Sequence, residues 1–151
     1  MKSKKVNQIG NLKFIDYDDK SLSKINYNLK SEFNKKKVWV ASSTHKDEEI
    51  FCAKAHIELK KKVKNLITII IPRHIHRVKD IVLDLEKLNL KVNLHSTKPK
   101  NLKFTDIYLV DTFGETKNFY NLSNIAFLGG SIVNHGGQNP LEAARLGNYI
   151  I

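Results

Sequence analysis

Short apolar runs alternate with amphipathic stretches along most of the chain. Six runs are mostly apolar and have the length of buried strands: 37–41, 66–71, 90–94, 107–110, 125–128 and 149–151. Between them, apolar residues recur with helical spacing, most clearly at Val78, Ile81, Val82, Leu85 and Leu88. Strands that are apolar on both faces and alternate with helices are typical of a parallel sheet covered on both sides. The pattern therefore predicts an α/β fold, a Rossmann-like parallel sheet with helices on both faces.

The pattern also divides the chain into two unequal parts. Residues 1–20 are polar and have no clear period, so we interpret them as a lead-in segment before the domain. Residues 21–151 hold all the predicted elements, beginning with a helical face of Leu22, Ile25, Leu29 and Phe33. The last predicted strand begins at Tyr149, where the sequence is about to end. We therefore expect a Rossmann-like domain that is truncated at its C-terminal end.

Composition narrows the class of protein. With 151 residues, 41% of them hydrophobic, the chain is long enough to form one domain with a buried core. The single cysteine, Cys52, excludes an internal disulfide and lies among apolar residues. No apolar run is long enough to cross a bilayer, and no signal peptide follows the basic N-terminus. We therefore expect a soluble chain.

The net charge of +11 raises the question of a nucleic-acid partner. Only three of the 26 basic residues are arginines, and aromatic residues are not interleaved with the lysine runs as a base-stacking surface requires. We therefore predict no nucleic-acid partner. The lysine runs at 35–37 and 60–64 are interpreted as a solvated face, with attraction to an anionic membrane surface as the alternative.

The stretch 125–146 carries the strongest signal of function. A buried strand is followed by two glycine pairs, Gly129-Gly130 and Gly136-Gly137, which allow the backbone to turn tightly and to approach a ligand. The dipeptide Asn139-Pro140 suits a helix start, and Glu142 completes a variant of the capping box. Strand, glycine loop and helix start together suit a phosphate. A tight turn with a self-capping Glu142 is the structural alternative.

Three other predicted strands end in the polar loops 42–49, 72–77 and 111–115. The carboxyl ends of parallel strands meet at one edge of a sheet, where ligands bind. Two of the three arginines, Arg73 and Arg77, fall in the second loop, and a planar guanidinium suits a phosphate or a carboxylate. An ion pair with an acid such as Asp80 is the alternative.

The same loops contain residues with structural explanations. Thr44 with Asp47, and Thr112 with Glu115, have the spacing of capping boxes at helix starts. The histidines of the second loop have no cysteine or carboxylate set around them, so we predict no metal site. No Ser-His-Asp arrangement and no closely paired catalytic carboxylates can be identified.

Taken together, the motifs resemble the Kdo (3-deoxy-D-manno-octulosonic acid) transferases, which build the inner core of bacterial lipopolysaccharide. The similarity begins near Gly10 with a Gly-Asn-Leu-Lys segment and extends to the end of the chain. It includes Ser-Ser-Thr-His at 42–45 with Glu48-Glu49, Pro-Arg-His at 72–74 with Arg77, Asp-Thr-Phe-Gly-Glu at 111–115, Phe119-Tyr120, and the glycine loop with Asn-Pro-Leu-Glu at 139–142. Asp47, Ile75, Gln138 and Ala143 depart from the family pattern, and Gln138 stands where a histidine is usual.

The resemblance implies the donor-binding part of a GT-B glycosyltransferase that transfers Kdo from CMP-Kdo to a lipid A precursor, without a metal or other cofactor. It also implies that the acceptor half and the catalytic carboxylate base lie in an N-terminal domain outside this chain. We therefore expect no catalytic residue here and no activity of the fragment alone. The complete enzyme is expected at the cytoplasmic face of the bacterial inner membrane, in contact with the membrane surface.

By resemblance, the glycine loop and helix start hold the donor phosphate, Arg73 meets a donor anion, and Glu142 bonds the ribose hydroxyls. The residues expected to bind the donor are Ser43, Thr44, His45, Glu48, Arg73, His74, Phe113, Gly114, Gly129, Gly130, Ser131, Gly136, Gly137, Asn139 and Glu142. Two other classes stay open. One is a different nucleotide-sugar enzyme, such as an epimerase, and the other is a basic, non-enzymatic module that binds nucleotides or nucleic acid.

Overall fold

The structure, a computed structural model, describes residues 27–151. Predictions for the lead-in segment 1–20, and for the helical positions Leu22 and Ile25, lie outside the described residues. The helices are α1 (Tyr27–Asn34), α2 (Glu48–Lys60), α3 (Val78–Lys87), α4 (Thr116–Tyr120) and α5 (Leu141–Arg145). The strands are β1 (Lys37–Thr44), β2 (Leu66–Pro72), β3 (Val92–Leu94), β4 (Ile107–Leu109), β5 (Ile125–Leu128) and β6 (Tyr149–Ile150).

The six strands form one parallel sheet in the order β3-β4-β2-β1-β5-β6. Strand β1 lies near the middle, where Val40 pairs with Ile69 of β2 on one side and with Ala126 of β5 on the other. Strand β2 is buried along its whole length, as expected for a strand covered on both faces. The predicted α/β class is therefore confirmed.

Each face of the sheet has its own hydrophobic core. Helices α2 and α3 cover one face, where Leu85 and Ile70 belong to the same buried cluster. Helices α1, α4 and α5 cover the other face, where the ring of Tyr108 contacts those of Phe33 and Phe119 at centroid distances of 5.0 and 6.0 Å. Burial of each large side chain stabilises the fold by about 1.5–3 kcal/mol. The sheet is thereby held rigidly enough to position the loops at its edge.

Strand β1 continues through Thr44, beyond the predicted limit of 41, and this changes the start of α2. Its buried polar residues have partners, since Ser42 Oγ lies 2.5 Å from the Tyr120 hydroxyl and Thr44 Oγ1 donates to Glu49 Oε1 at 3.0 Å. Helix α2 begins after Asp47, whose φ of 75° is left-handed. The predicted capping box of Thr44 with Asp47 is therefore wrong, because Thr44 belongs to the strand and bonds to a carboxylate.

The starts of α4 and α5 also differ in detail from prediction. Helix α4 begins only after Glu115, and the Thr112 hydroxyl donates to the Glu115 carboxylate, so the predicted capping box at this site is wrong. At α5, Asn139 Oδ1 accepts from the Leu141 amide at 3.0 Å. The helix is Leu141–Arg145 with Pro140 at the N-cap and no side-chain cap hydrogen bond, so the predicted capping box of Asn139 with Glu142 is wrong. Asn139 lies one residue before the N-cap, and its side chain holds the turn that leads into this five-residue helix.

No helix within residues 27–151 is long and apolar enough to span a membrane.

An apolar groove of about 710 Å³ lies beside α2, near the amino ends of β1 and β5, with Trp39, Phe51 and Phe127 in its lining. This groove lies away from the carboxyl edge of the sheet, so it is separate from the donor-binding site that the sequence predicts at that edge.

Candidate functional site

The loops that follow β1, β2, β4 and β5 all lie at the carboxyl edge of the sheet, because every strand runs in the same direction. Three of them are joined through their backbones. The Arg73 amide donates to the Thr44 carbonyl oxygen at 2.9 Å, and the Gly129 amide donates to the Ser42 carbonyl oxygen at 2.8 Å. The loops 42–49, 72–77 and 129–140 therefore form one continuous surface, which we name the carboxyl rim.

At Gly129 the glycine loop passes directly against the end of β1. A Cβ atom at this position would lie 2.6 Å from the carbonyl carbon of Ser43 and 2.7 Å from Thr44 Cα, well inside van der Waals contact. Ser43 itself has a left-handed φ of 55°, beside an irregularity in the pairing of β1 with β2. The glycine pairs are predicted to let the backbone approach a ligand, and at Gly129 the close approach is instead to strand β1 of the same chain.

The glycine loop also closes on itself. The Gly137 amide donates to the Gly130 carbonyl oxygen at 2.8 Å, and Gly130 has a φ of 78°, which only glycine adopts without strain. Gly136 and Gly137 both have a φ of 75°. The Ser131 hydroxyl donates back to the Leu128 carbonyl oxygen. The chain's own hydrogen bonds thus fix the shape of the loop.

Glu48 fastens the glycine loop to α2. Its carboxylate is 1% exposed and accepts from the amides of His45 at 2.8 Å, Gly130 at 2.9 Å and Ile132 at 3.2 Å. Burial raises the pKa of Glu48, but the three amide hydrogen bonds lower it by more, so the pKa lies below its ordinary value. The carboxylate therefore stays ionised and holds two loops together.

Glu49, the next residue of α2, points toward a different loop. Arg77 donates to both of its oxygens, with Nη1 2.9 Å from Oε1 and Nη2 3.1 Å from Oε2. The Glu49 side chain is 3% exposed and that of Arg77 is 20% exposed. The alternative of an ion pair is thus correct for Arg77, but its partner is Glu49 rather than Asp80. The first turn of α2 consequently contacts the loops after β1, β2 and β5.

Four positively charged or titratable side chains surround the end of β1. The imidazole of His45 stacks on that of His135, with ring centroids 4.4 Å apart and planes inclined by 20°. The His74 ring packs edge-on against His45 at 6.0 Å. Arg73 is exposed, and within residues 27–151 no hydrogen bond or ion pair engages its guanidinium. Arg73 thus brings a permanent positive charge to the carboxyl rim, and the imidazoles bring ring N–H groups that can donate to an anion.

The loop after β4 is built separately at the same edge. Asp111 accepts from both the amide and the hydroxyl of Ser96, which holds the loop against the turn after β3. Phe113 is 83% exposed, and Gly114 has a φ of 81° with nothing within 4 Å of a Cβ position. The ring of Phe113 is therefore free to contact a molecule that binds at this edge.

Glu142 lies on α5, with its side chain 46% exposed and Oε1 3.9 Å from Lys117 Nζ. Its carboxylate is therefore accessible to solvent on the helix that follows the glycine loop. Helix α5 is short, so its dipole concentrates less positive charge at the helix start than the sequence suggests. At the end of β1 the permanent positive charge is that of Arg73.

Sequence reasoning missed two members of this arrangement. No site role is predicted for His135, because nothing in the sequence shows that its loop of mostly small and polar residues folds back onto His45. Glu49 was assigned no partner, although its position next to Glu48 at a helix start already indicated that the two side chains point in different directions. Among residues 27–151, no group of three or more His, Cys, Asp or Glu side chains is arranged to hold a metal ion.

Comparison with known proteins gives a consistent result. The 3-deoxy-D-manno-octulosonic acid transferase of Haemophilus influenzae is 36% identical over 140 residues, which cover 91% of this chain and 33% of that protein. The Rickettsia felis transferase of the same name is 36% identical over 147 residues, covering 95% and 31% respectively. The crystal structure of the C-terminal CMP-Kdo binding domain of WaaA from Acinetobacter baumannii matches with a TM-score of 0.69 and 31% identity, over 78% of this chain and 62% of that chain. No family model matches the chain.

The parallel sheet with helices on both faces defines a Rossmann-like domain of the GT-B-like type. More particularly, the chain is a relative of the Kdo transferases, and its fold matches that of the Acinetobacter baumannii WaaA domain. The resemblance predicted from the motifs is therefore confirmed. The chain spans about a third of the length of the curated relatives it matches.

Proposed function

We propose that this chain is the donor-binding part of a Kdo transferase, which binds CMP-Kdo so that Kdo is transferred to a lipid A precursor. The observation that carries the proposal is the carboxyl rim, where His45, Arg73 and a self-closed glycine loop meet in a relative of a CMP-Kdo binding domain. A CMP-Kdo molecule is anionic at its phosphate and at its sugar carboxylate, and the rim supplies the complementary charge.

Within the rim, different residues are proposed to meet different parts of the donor. The amides of Gly130 and Ile132 already bond to Glu48, so phosphate binding is assigned to the outer part of the loop around Gly136 and Asn139, together with Arg73. Thr44 and Glu48 are buried and bonded within the protein, so they act by positioning the loops.

The remaining proposed contacts are made by exposed or half-buried groups. Ser43 and His45 line the sugar side, and the ring of Phe113 offers a stacking surface at the nucleobase side of the site. Glu142 is assigned to the ribose hydroxyls, because its carboxylate is exposed on the helix that follows the glycine loop. His74 and Gly114 border the same site.

The chemistry that these residues supply is electrostatic. As the bond between Kdo and the phosphate breaks, negative charge grows on the departing CMP, and fixed cations and amides stabilise it. We assign the catalytic base and the lipid A precursor site to an N-terminal domain of the complete protein. That protein is proposed to act at the cytoplasmic face of the inner membrane, and the 151-residue chain alone is proposed to be inactive.

Titration calorimetry of the chain with CMP and with CMP-Kdo tests the proposal. Glu142→Ala should weaken CMP binding by at least about tenfold if the carboxylate bonds the ribose, whereas loss of a capping interaction alone costs only about 1 kcal/mol of stability. A matched control is Glu86→Ala, an exposed carboxylate on α3 outside the rim. A Glu142→Ala protein that is folded and binds CMP as tightly as the wild type would contradict the assignment.

The same experiment separates the two other classes. Preference for a uridine diphosphate sugar over CMP-Kdo would favour an epimerase-type enzyme. Salt-sensitive binding to single-stranded or duplex nucleic acid, with no binding of CMP, would favour a basic binding module. Either result would overturn the Kdo transferase proposal for this chain.

A further inference from the structure

Three loops each bring one imidazole to the same point of the carboxyl rim. His45 follows β1, His74 follows β2, and His135 lies in the glycine loop after β5. The centroid distances from His45 are 4.4 Å to His135 and 6.0 Å to His74. The His76 ring lies farther out, 5.6 Å from His74.

The charges around His45 mostly oppose its protonation. Burial lowers the pKa of His45, and His135, His74 and Arg73 lower it further, against the opposing effect of Glu48. The Nε2 atom of His45 is buried and has no hydrogen-bond partner among the described residues. Leaving a buried polar atom unpaired is costly, and a ligand that accepts a hydrogen bond would remove that cost.

A simple packing contact between two rings is the structural alternative. Stacked aromatic rings do stabilise folds, usually with an apolar surrounding that excludes water. Here the His135 side chain is exposed, a third imidazole packs against the stack, and the Arg73 guanidinium, which has no hydrogen bond or ion pair within residues 27–151, is close enough to act on the charge of His45. A packing contact does not require cationic groups to converge, whereas an anion site does.

We propose that His135, together with His45 and Arg73, forms a proton-linked anion site that binds an oxygen of the donor's phosphate or carboxylate. An anion that accepts hydrogen bonds from the N–H edges of the two stacked rings favours their protonated forms, so binding is accompanied by proton uptake. His135 is the one imidazole in the segment 129–140, since Gln138 stands where the family resemblance leads one to expect a histidine. The site thus assigns to His135 a role in donor recognition, and the inference rests on the function proposed above.

Calorimetry of the 151-residue chain tests the inference with two ligands, CMP for the phosphate and free Kdo for the carboxylate. Each titration is run at about pH 6 and about pH 7.5, in two buffers of different ionisation enthalpy, so that the heat difference gives the number of protons taken up. CMP also titrates near this range, so the comparison between proteins is the readout. The test variant is His135→Asn, and His76→Asn is the matched control, because it removes an exposed imidazole that does not contact His45.

For the wild type, affinity should rise toward low pH by up to about tenfold per pH unit for each proton taken up. His135→Asn should lose most of the proton uptake and weaken binding mainly at about pH 6, while His76→Asn should keep both. An effect with CMP assigns the phosphate to the site, and an effect with free Kdo alone assigns the carboxylate. Thermal unfolding of each variant confirms that it is folded.

Two results would overturn the inference. One is equal proton uptake in the wild type and in His135→Asn, and the other is an equal loss in both histidine variants. If CMP and Kdo do not bind at any pH, the proposed function fails, and inorganic phosphate then decides on the anion site. In the wild type, phosphate should shift the nuclear magnetic resonance signals of the His45 and His135 rings, and in His135→Asn it should leave the His45 signals unshifted. This result would uphold the anion site. Ring signals of the wild type that do not change with phosphate would refute it.

Discussion

Replacing Glu48 by glutamine should loosen the carboxyl rim while almost preserving its shape. Glutamine has the size of glutamate, but an NH₂ group takes the place of one oxygen. At the Oε1 position it faces the amides of Gly130 and Ile132, and at the Oε2 position those of His45 and Gly130, all of which need an acceptor. Hydrogen bonds to a charged group contribute about 1.5–3 kcal/mol each, and removing a buried charge partly offsets the loss of one or two of them. We expect the free energy of unfolding to fall by about 2–4 kcal/mol.

The pH dependence of this effect follows from the sign of the pKa shift. Because the pKa of Glu48 lies below its ordinary value of 4.5, its ionised form contributes stability above that pH, and the contribution is lost as the pH falls through the folded-state pKa. Glutamine does not titrate. The difference in unfolding free energy between the wild type and Glu48→Gln should therefore shrink as the pH is lowered below 4.5.

Urea unfolding followed by circular dichroism, from about pH 7 down to about pH 2.5, measures this difference across the range in which the carboxylate is protonated. The matched control is Glu58→Gln on the same helix, whose side chain is 69% exposed in an ion pair with Lys61 and which should change stability by less than about 0.5 kcal/mol. A Glu48→Gln effect no larger than that of Glu58→Gln would refute the reasoning. So would a large effect that stays constant across the pH range.

Three further predictions concern other parts of the structure. Gly129→Ala should displace the glycine loop, because the added methyl group overlaps the Ser43 backbone, and calorimetry should show at least about a tenfold loss in CMP affinity. Arg77→Lys should lower the unfolding free energy by about 1–2 kcal/mol in urea, since lysine cannot replace the two-point contact with Glu49. Burial raises the pKa of Cys52 to about 12, so at about pH 8 it should react with a thiol reagent only as fast as the protein unfolds.

Each of these has a result that contradicts it. For the glycine loop, Gly147→Ala is the control, because it has a φ of 81° with nothing within 4 Å; equal CMP affinity in both alanine variants would be inconsistent with steric overlap. For the ion pair, a stability of Arg77→Lys equal to the wild type would show that the planar fork is unimportant. For Cys52, rapid labelling of the folded protein would contradict its burial.

The fold could be predicted because its strands are apolar on both faces, which leaves a signal in the sequence. Strand β2 has five apolar residues and one threonine before a proline, which is typical of a buried strand, and β5 is bounded as predicted. Apolar runs of this kind do not predict the order of the strands in the sheet. It depends on which strand ends pair after the chain has collapsed, and it decides which loops become neighbours.

The site could be predicted as a set of loops, but its internal contacts could not. Arg77 pairs with an acid 28 positions away rather than with one nearby, because α2 and the loop after β2 are packed together by the sheet. Thr44 has the spacing of a helix cap, yet pairing of β1 with β2 keeps it in the strand. Only the stacked ring contact with His45 identifies His135 as part of the site. In each case a tertiary contact prevailed over a local preference.

Two adjacent carboxylates at the start of α2 couple the opening of the loops of the carboxyl rim. Because Glu48 and Glu49 bind three different strand ends, any fluctuation that lifts this turn from the sheet must release all three at once. Amide hydrogen exchange at His45, Gly130 and Ile132 should then report a single opening event with one rate, however far apart these positions lie in the chain.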